Sequence, residues 1–387
     1  MYRTYLLMST VFATLLALMV VVFCFFVDPY NLYPSLNFYE NEQEADLFYH
    51  LRLHKPYAME ALKPDHLIVG SSRSARLPPD SLAANDEQSY NAALPGVTLR
   101  EIRLLVEHAQ AIKPLKSVLI GIDYYMFRQG YSSISAHFEA ARLRKIQPTI
   151  KQNLAHYFQR FEDNWKSLLS VDALINAWET LYVKVESQRN YKSDGTWEAN
   201  VDGPKRGTWL FSMLVKQKYQ DFTQKTDQLD MAELNALLKF CDDHDIQAWV
   251  LISPLHASVM NSVNMAGQWP QYIDWQRQVI QVSSTYSNSA RVFALENSPN
   301  LVLEAIDQDS RFFLDGVHYT SQAGRQIMAC LAGSDCDSTI NLATLNNTNS
   351  TPYLDAVTGL MENYRHSNAR DFARVQKWLD LSAQAGR

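Results

Sequence analysis

The stretch His66-Leu67-Ile68-Val69-Gly70-Ser71-Ser72-Arg73 decides the reading of this chain: a short apolar run stops at a glycine followed by two serines. Bounded by Pro64 before and Pro78-Pro79 after, the run reads as a buried strand that delivers its last residues to a loop. Open α/β sheets place ligands at the carboxyl ends of their parallel strands. Gly70 supplies the backbone freedom for a sharp turn there, and Ser71 or Ser72 then presents a hydroxyl at the sheet edge. A serine hydroxyl is a poor nucleophile without a base. The chain supplies one far downstream, in Phe312-Phe313-Leu314-Asp315-Gly316-Val317-His318.

Around this stretch the sequence alternates strand and helix patterns. Ser89 to Ala92 is a short second strand ending in Asn91-Ala92-Ala93-Leu94-Pro95-Gly96. Thr98 then caps a helix running to about Ile112, with Glu101 placed as in a capping box. Ser117 to Ile122 is continuously apolar, as buried parallel strands are. Ala248 to Ser253 and Ala290 to Leu295 are a fourth and a fifth strand, with helices expected over Met231–His244, Trp269–Tyr286 and Ser321–Leu331. The fold expected is α/β: a doubly wound, flavodoxin-like parallel sheet in three layers.

Between about Arg128 and Asp230 this grammar breaks into a mainly helical insertion, with helices over Ala136–Ala155 and Phe161–Val185 and a polar section from Asn190 to Gly207. An insertion after the third strand projects over the carboxyl edge of the sheet, where it can serve as a lid or a docking surface. Residues beyond 336 read as an appended segment with a final helix from Ala369 to about Gln384.

The amino-terminal end has a different character. Leu6 to Val27 carries no charge and makes an apolar run of about 22 residues, enough to cross a bilayer as an uncleaved single-span anchor. Arg3 before it places the amino terminus in the cytoplasm and everything after Asp28 outside. Residues 29–64 form a membrane-proximal linker and helix; Tyr30 and Tyr33 are expected in the headgroup zone. His50 and His54 share a helical spacing but lack a third ligand, so no metal and no cofactor is expected.

The chain of 387 residues has a net charge of -6 and lacks basic runs, which excludes a nucleic-acid partner. Cys330 and Cys336 are close enough to bridge in an oxidising compartment, although sequence alone leaves the pairing open.

Acyl transfer through serine needs a hydroxyl, a base, a group that orients the base, and donors for the oxyanion. Asp315 and His318, three positions apart, can supply orienter and base from one loop, although Asp-x-x-His by itself is a common pattern. Together with Gly70-Ser71-Ser72, Gly96 after the second strand and Gly121 on the third, this order of blocks resembles the SGNH (GDSL-type) hydrolase superfamily. With Gly-Ser-Ser in place of Gly-Asp-Ser and an anchor in front, it looks most like the envelope-bound branch that includes alginate acetyltransferases and the D-alanine transfer protein of teichoic acids.

The resemblance implies Ser72 as nucleophile, His318 as base, Asp315 as its partner, and the N–H groups of Ser72 and Gly96 as oxyanion donors. It implies a glycan substrate, an O-acetyl or other acyl group, and a multispanning membrane-bound acyltransferase as partner. Arg73, Asn91, Asp123 and His256 are further residues expected at the carboxyl edge, as substrate-binding groups.

One departure stands out: Gly121-Ile122-Asp123-Tyr124 occupies the place of Gly-x-Asn-Asp. An ionised carboxylate beside an oxyanion raises the barrier, so Asp123 must point elsewhere, be protonated, or yield to another donor. Otherwise the chain fits an inactive, membrane-tethered subunit that binds glycan or scaffolds an assembly. A plain esterase is a third reading, though hydrolysis of small soluble esters calls for no anchor.

Overall fold

Short apolar stretches between prolines and polar turns become the parallel strands of one sheet. The computed structural model describes residues 2–33, 47–83, 87–128, 135, 137–182, 190–198, 207–223, 228–307, 310–334 and 336–385. In chain order, α1 (Tyr2–Val27) and α2 (Leu51–Leu62) precede β1 (His66–Val69), β2 (Ser89–Asn91), α3 (Leu99–Ile112) and β3 (Ser117–Ile122). The insertion contributes α4 (Ile150–Leu168), α5 (Val171–Tyr182), the strand pair β4 (Asn190–Tyr191) and β5 (Trp197–Glu198), and α6 (Gly207–Thr223). Then come α7 (Ala232–Asp243), β6 (Gln247–Ile252), α8 (Ala257–Met265), α9 (Trp269–Ser284), β7 (Ala290–Ala294), α10 (Pro299–Val302) and α11 (Ser321–Ala332). The chain closes with β8 (Ala343–Leu345), α12 (Ser350–Ser367) and α13 (Ala369–Ala385).

The six-stranded sheet has the order β2-β1-β3-β6-β7-β8. Its first five strands are parallel and β8 pairs antiparallel to β7. Every residue of β1 and β3 is buried, so helices cover both faces of the sheet there. The chain moves from β1 to its neighbour on one side, β2, and then crosses to its neighbour on the other, β3. Such a reversal opens a crevice at the carboxyl edge. The end of β1 lies in it.

Thr98 forms the expected capping box, its hydroxyl accepting from Glu101 N while the Glu101 carboxylate accepts from Thr98 N. The insertion is closed at its base: Arg128 and Leu229 form an antiparallel bridge, and Asp230 N donates to Phe127 O at 2.8 Å.

Several expectations need correction. The helix expected over Ala136–Ala155 begins only at Ile150, where Thr149 makes its own capping box with Gln152, because Pro148 holds the preceding backbone extended; Ala136 itself lies outside the described residues. The part of the expected membrane-proximal helix before residue 47 also lies outside them. The polar section after Asn190 contains the β4–β5 pair.

The carboxyl-terminal segment is no appendage. Leu345 pairs with Val292 on the sheet edge, and Tyr353, Leu354, Val357, Met361 and Leu379 are buried in the main core. Tyr30 and Tyr33 are not free for headgroups: Asn176 donates to the buried Tyr30 hydroxyl at 3.0 Å, and the Tyr33 hydroxyl donates to Asn164 Oδ1. Cys330 and Cys336 form a disulfide.

Candidate active site

The loop that carries Ser72 starts at Gly70. Its φ of +143° lies where side chains are strained, and a Cβ on it would collide with the Ser74 side chain and with Gly121 O. A Cβ on Gly121 would meet the same Ser74 side chain. These two glycines, one ending β1 and one inside β3, let the turn fold down tightly onto the sheet. Asn91, buried at the end of β2, fastens it: its Nδ2 donates to Ser74 O and to Leu77 O, each at 2.8 Å, and its Oδ1 accepts from Ala93 N at 3.0 Å.

Far along the chain, the loop after α10 forms a narrow return in which Phe313 bridges Tyr319. The Glu304 carboxylate accepts from Phe312 N and Phe313 N at the loop's start. Gly316, with φ of +81°, completes the bend between Asp315 and His318.

These two loops bring Ser72, His318 and Asp315 together. Ser72 Oγ lies 2.8 Å from His318 Nε2, and His318 Nδ1 lies 2.7 Å from Asp315 Oδ2. Asp315 Oδ1 accepts from Val317 N at 3.0 Å and from His318 N at 2.8 Å. Burial raises the Asp315 pKa, but the pairing with His318 and the two backbone donors outweigh it and hold the carboxyl below its ordinary value. An ionised Asp315 fixes the proton on Nδ1, which leaves Nε2 to accept the serine proton. Among the described residues neither Ser72 N–H nor Gly96 N–H is engaged in a hydrogen bond, so both are available as donors.

The remaining expected residues have other occupations. Arg73 is buried, and its guanidinium meets Asp123 Oδ1 at 2.6 Å while donating to Ser253 O at 3.0 Å and Pro254 O at 3.2 Å. Asp123 is only 1% exposed and is compensated by that cation. The Asp123 carboxylate is turned to the Arg73 guanidinium.

Arg73 lines a cleft with Tyr124, Lys218, Phe222 and Trp275, and neither Ser72 nor His318 is among its lining residues. Asn91 and His256 do not line the site. Asn91 spends its Nδ2 on the loop that carries Ser72 and its Oδ1 on Ala93 N. His256 is fully buried at the start of α8, its Nδ1 accepting from Ser258 N and its Nε2 donating to Glu304 O at 2.6 Å. Burial lowers its pKa to about 4, so it stays neutral.

Sequence reasoning missed Trp197 and Arg76. Trp197 sits on β5, its ring 6.2 Å from that of His318 and edge-on to it. The buried Arg76 guanidinium stacks on the same indole at 4.1 Å. The β4–β5 turn is docked by Asn91 N donating to Asp194 O and by Lys55, whose ammonium donates to Asn91 O at 2.5 Å and Gly195 O at 2.8 Å. Burial lowers the Lys55 pKa to about 7, with Asp194 opposing. His50 and His54 do not converge on a metal: His54 Nδ1 binds Asn31 O, and the His50 ring packs on Tyr30. No family model matches the chain, and no curated protein matches it in sequence.

Proposed function

We propose that this chain is a membrane-anchored, extracytoplasmic SGNH-type enzyme that moves or removes an acyl group, an O-acetyl foremost, on an envelope carbohydrate. The observation that carries this reading is the unbroken relay Ser72–His318–Asp315. Ser72 Oγ attacks the acyl carbonyl while His318 Nε2 takes its proton, and Asp315 stabilises the imidazolium that forms. The N–H groups of Ser72 and Gly96 serve the oxyanion. The proton then passes from His318 to the departing oxygen, leaving an acyl ester on Ser72. A sugar hydroxyl or water, deprotonated by the same imidazole, attacks that ester, and its proton returns by way of His318 to Ser72.

Three features support the wider reading. α1 is the one helix among the described residues long and apolar enough to cross a membrane. The Cys330–Cys336 bridge suits an oxidising compartment outside the cytoplasm. Trp197 walls one side of His318, and keeping water from an acyl-enzyme favours transfer to a hydroxyl over hydrolysis. The pairing of Asp123 with Arg73 supports the enzymatic reading over an inactive subunit. An envelope acyltransferase of this kind draws its acyl group from a multispanning partner at the inner membrane.

The test is labelling of the full chain with a fluorophosphonate, followed by mass spectrometry. Modification is expected at Ser72, lost in Ser72→Ala and slowed at least about a thousandfold in His318→Ala. A folded protein that stays unmodified would overturn the enzymatic reading.

A further inference from the structure

Helix α4 is built inside out. Ile150, Leu154, Tyr157, Phe158, Phe161 and Trp165 fall within an arc of about 100° on a helical wheel. All six are exposed, Phe158 by 71%. The opposite face is polar and turned inward: Asp163 accepts from Arg142 at 2.6 and 2.9 Å, Gln159 donates to the same carboxylate, and Arg160 pairs with Glu60 at 2.7 Å. A helix resting on a core in water shows the reverse arrangement. These ion pairs also prevent α4 from rolling its apolar face under.

α5 repeats the pattern. Val171, Leu174, Ile175, Trp178 and Tyr182 are exposed on one side, Trp178 by 57%. Its other side is seated by Ala173 and Ala177 against Cys24, Val27 and Tyr30, at the last turn of α1 and just beyond. α4 also touches α1. The exposed faces of both helices therefore adjoin the apolar surface of α1 at the level where its span ends. Trp and Tyr on the exposed faces are the side chains that prefer the boundary between headgroups and acyl chains. Lys145 and Lys151 are exposed at the start of α4, where anionic headgroups would meet them.

We propose that α4 and α5 lie in the plane of the lipid bilayer surface, their apolar faces sunk at the headgroup–acyl boundary, as a second membrane attachment beside α1. The inference rests on reading α1 as an anchor. It gives the insertion a specific role, because the attachment is coupled to α2 and α3 of the catalytic body through His108, whose Nδ1 accepts from Arg144 N while its Nε2 donates to Pro56 O. The carboxyl edge of the sheet is then held at a fixed attitude to the lipid from which an acyl donor or a nascent glycan emerges.

The test uses the full chain in vesicles of phosphatidylcholine and phosphatidylglycerol. An environment-sensitive fluorophore is placed on single cysteines introduced at Leu16, Phe158, Trp178 and Asp355, with spin-labelled lipids that quench near the headgroup or near the chain ends. Each variant is first required to match the parent's thermal midpoint. The labels at Phe158 and Trp178 are expected to be quenched at least about twofold by the shallow lipid, and less by the deep one. The label at Leu16 is quenched most by the deep lipid, and that at Asp355 by neither. Deep quenching at Leu16 with Phe158 and Trp178 behaving like Asp355 would overturn the proposal and leave the anchor standing. No quenching at Leu16 would remove the anchor and the proposal together. Shielding of Phe158 and Trp178 only in native membranes, with crosslinking there to a protein, would assign the face to a protein partner and overturn the lipid reading.

Discussion

Arg73 and Asp123 bury an ion pair one residue along the chain from Ser72, a contact at 2.6 Å with the carboxylate all but sealed from water. Breaking such a pair leaves a charge buried alone, which costs about 3–5 kcal/mol. Arg73→Met is therefore expected to lower stability by that amount in urea unfolding, and Arg73→Met with Asp123→Leu to recover most of it. Equal destabilisation in both would show that the carbonyls of Ser253 and Pro254, not Asp123, are what Arg73 serves.

Asn91→Ala leaves Ser74 O, Leu77 O and Ala93 N without this partner, and each buried group left unsatisfied costs about 1–3 kcal/mol. Because the lost bonds hold the turn carrying Ser72, kcat is expected to fall with little change in KM. That Ser72, Asp315 and His318 meet was legible in the sequence through the order of its blocks and their family resemblance, because Asp-x-x-His spacing alone is too common to decide it. The uses of Arg73, Asn91 and His256 were not. Their partners lie on other strand ends, and only the register of the assembled sheet decides which carbonyl or carboxylate each one meets.

At the scale of elements, the β4–β5 pair sets the environment of the imidazole. Its strands are two residues each, too short for any alternation to register, which is why Trp197 went unread. The parallel strands were legible because burial on both faces makes them continuous apolar runs. β8, three residues at a partly exposed edge, carries no such run. The polar run Asn346–Thr351, a hydrogen-bonded turn leading into α12, masked the helix's buried face.

Trp197→Ala is expected to raise the share of acyl-enzyme lost to water, read as the ratio of free acid to transferred product, while labelling of Ser72 persists. Lys55→Met removes both bonds that its ammonium makes to the hairpin and β2, so it should act in the same direction. An unchanged product ratio in both variants would deny the hairpin any part in excluding water.

Across the whole molecule, three neutral histidines are built into junctions between elements. His54 joins α2 to Asn31 beyond α1, His108 joins α3 to α2 and the insertion, and His256 joins the loop after β6 to Glu304. Burial lowers each from an ordinary 6.5 to about 4. In the unfolded chain they take up protons near pH 6.5, whereas in the folded chain they stay neutral until about pH 4. The unfolded state therefore binds more protons in that window, and stability falls as the pH drops through it, by about 1.4 kcal/mol per pH unit for each histidine.

Three carboxyls work against this. Burial raises Glu304 to about 6 and also raises Glu296 and Asp28, so the folded state takes up protons there that the unfolded state does not. Three histidines outweigh them in the upper part of the window. The thermal midpoint is expected to drop between pH 7.5 and 5.5, and His256→Asn, which retains an acceptor for Ser258 N, should remove about a third of the histidine part of that slope. A midpoint that stays level or rises on acidification would mean that these junctions admit water and protons in the folded protein.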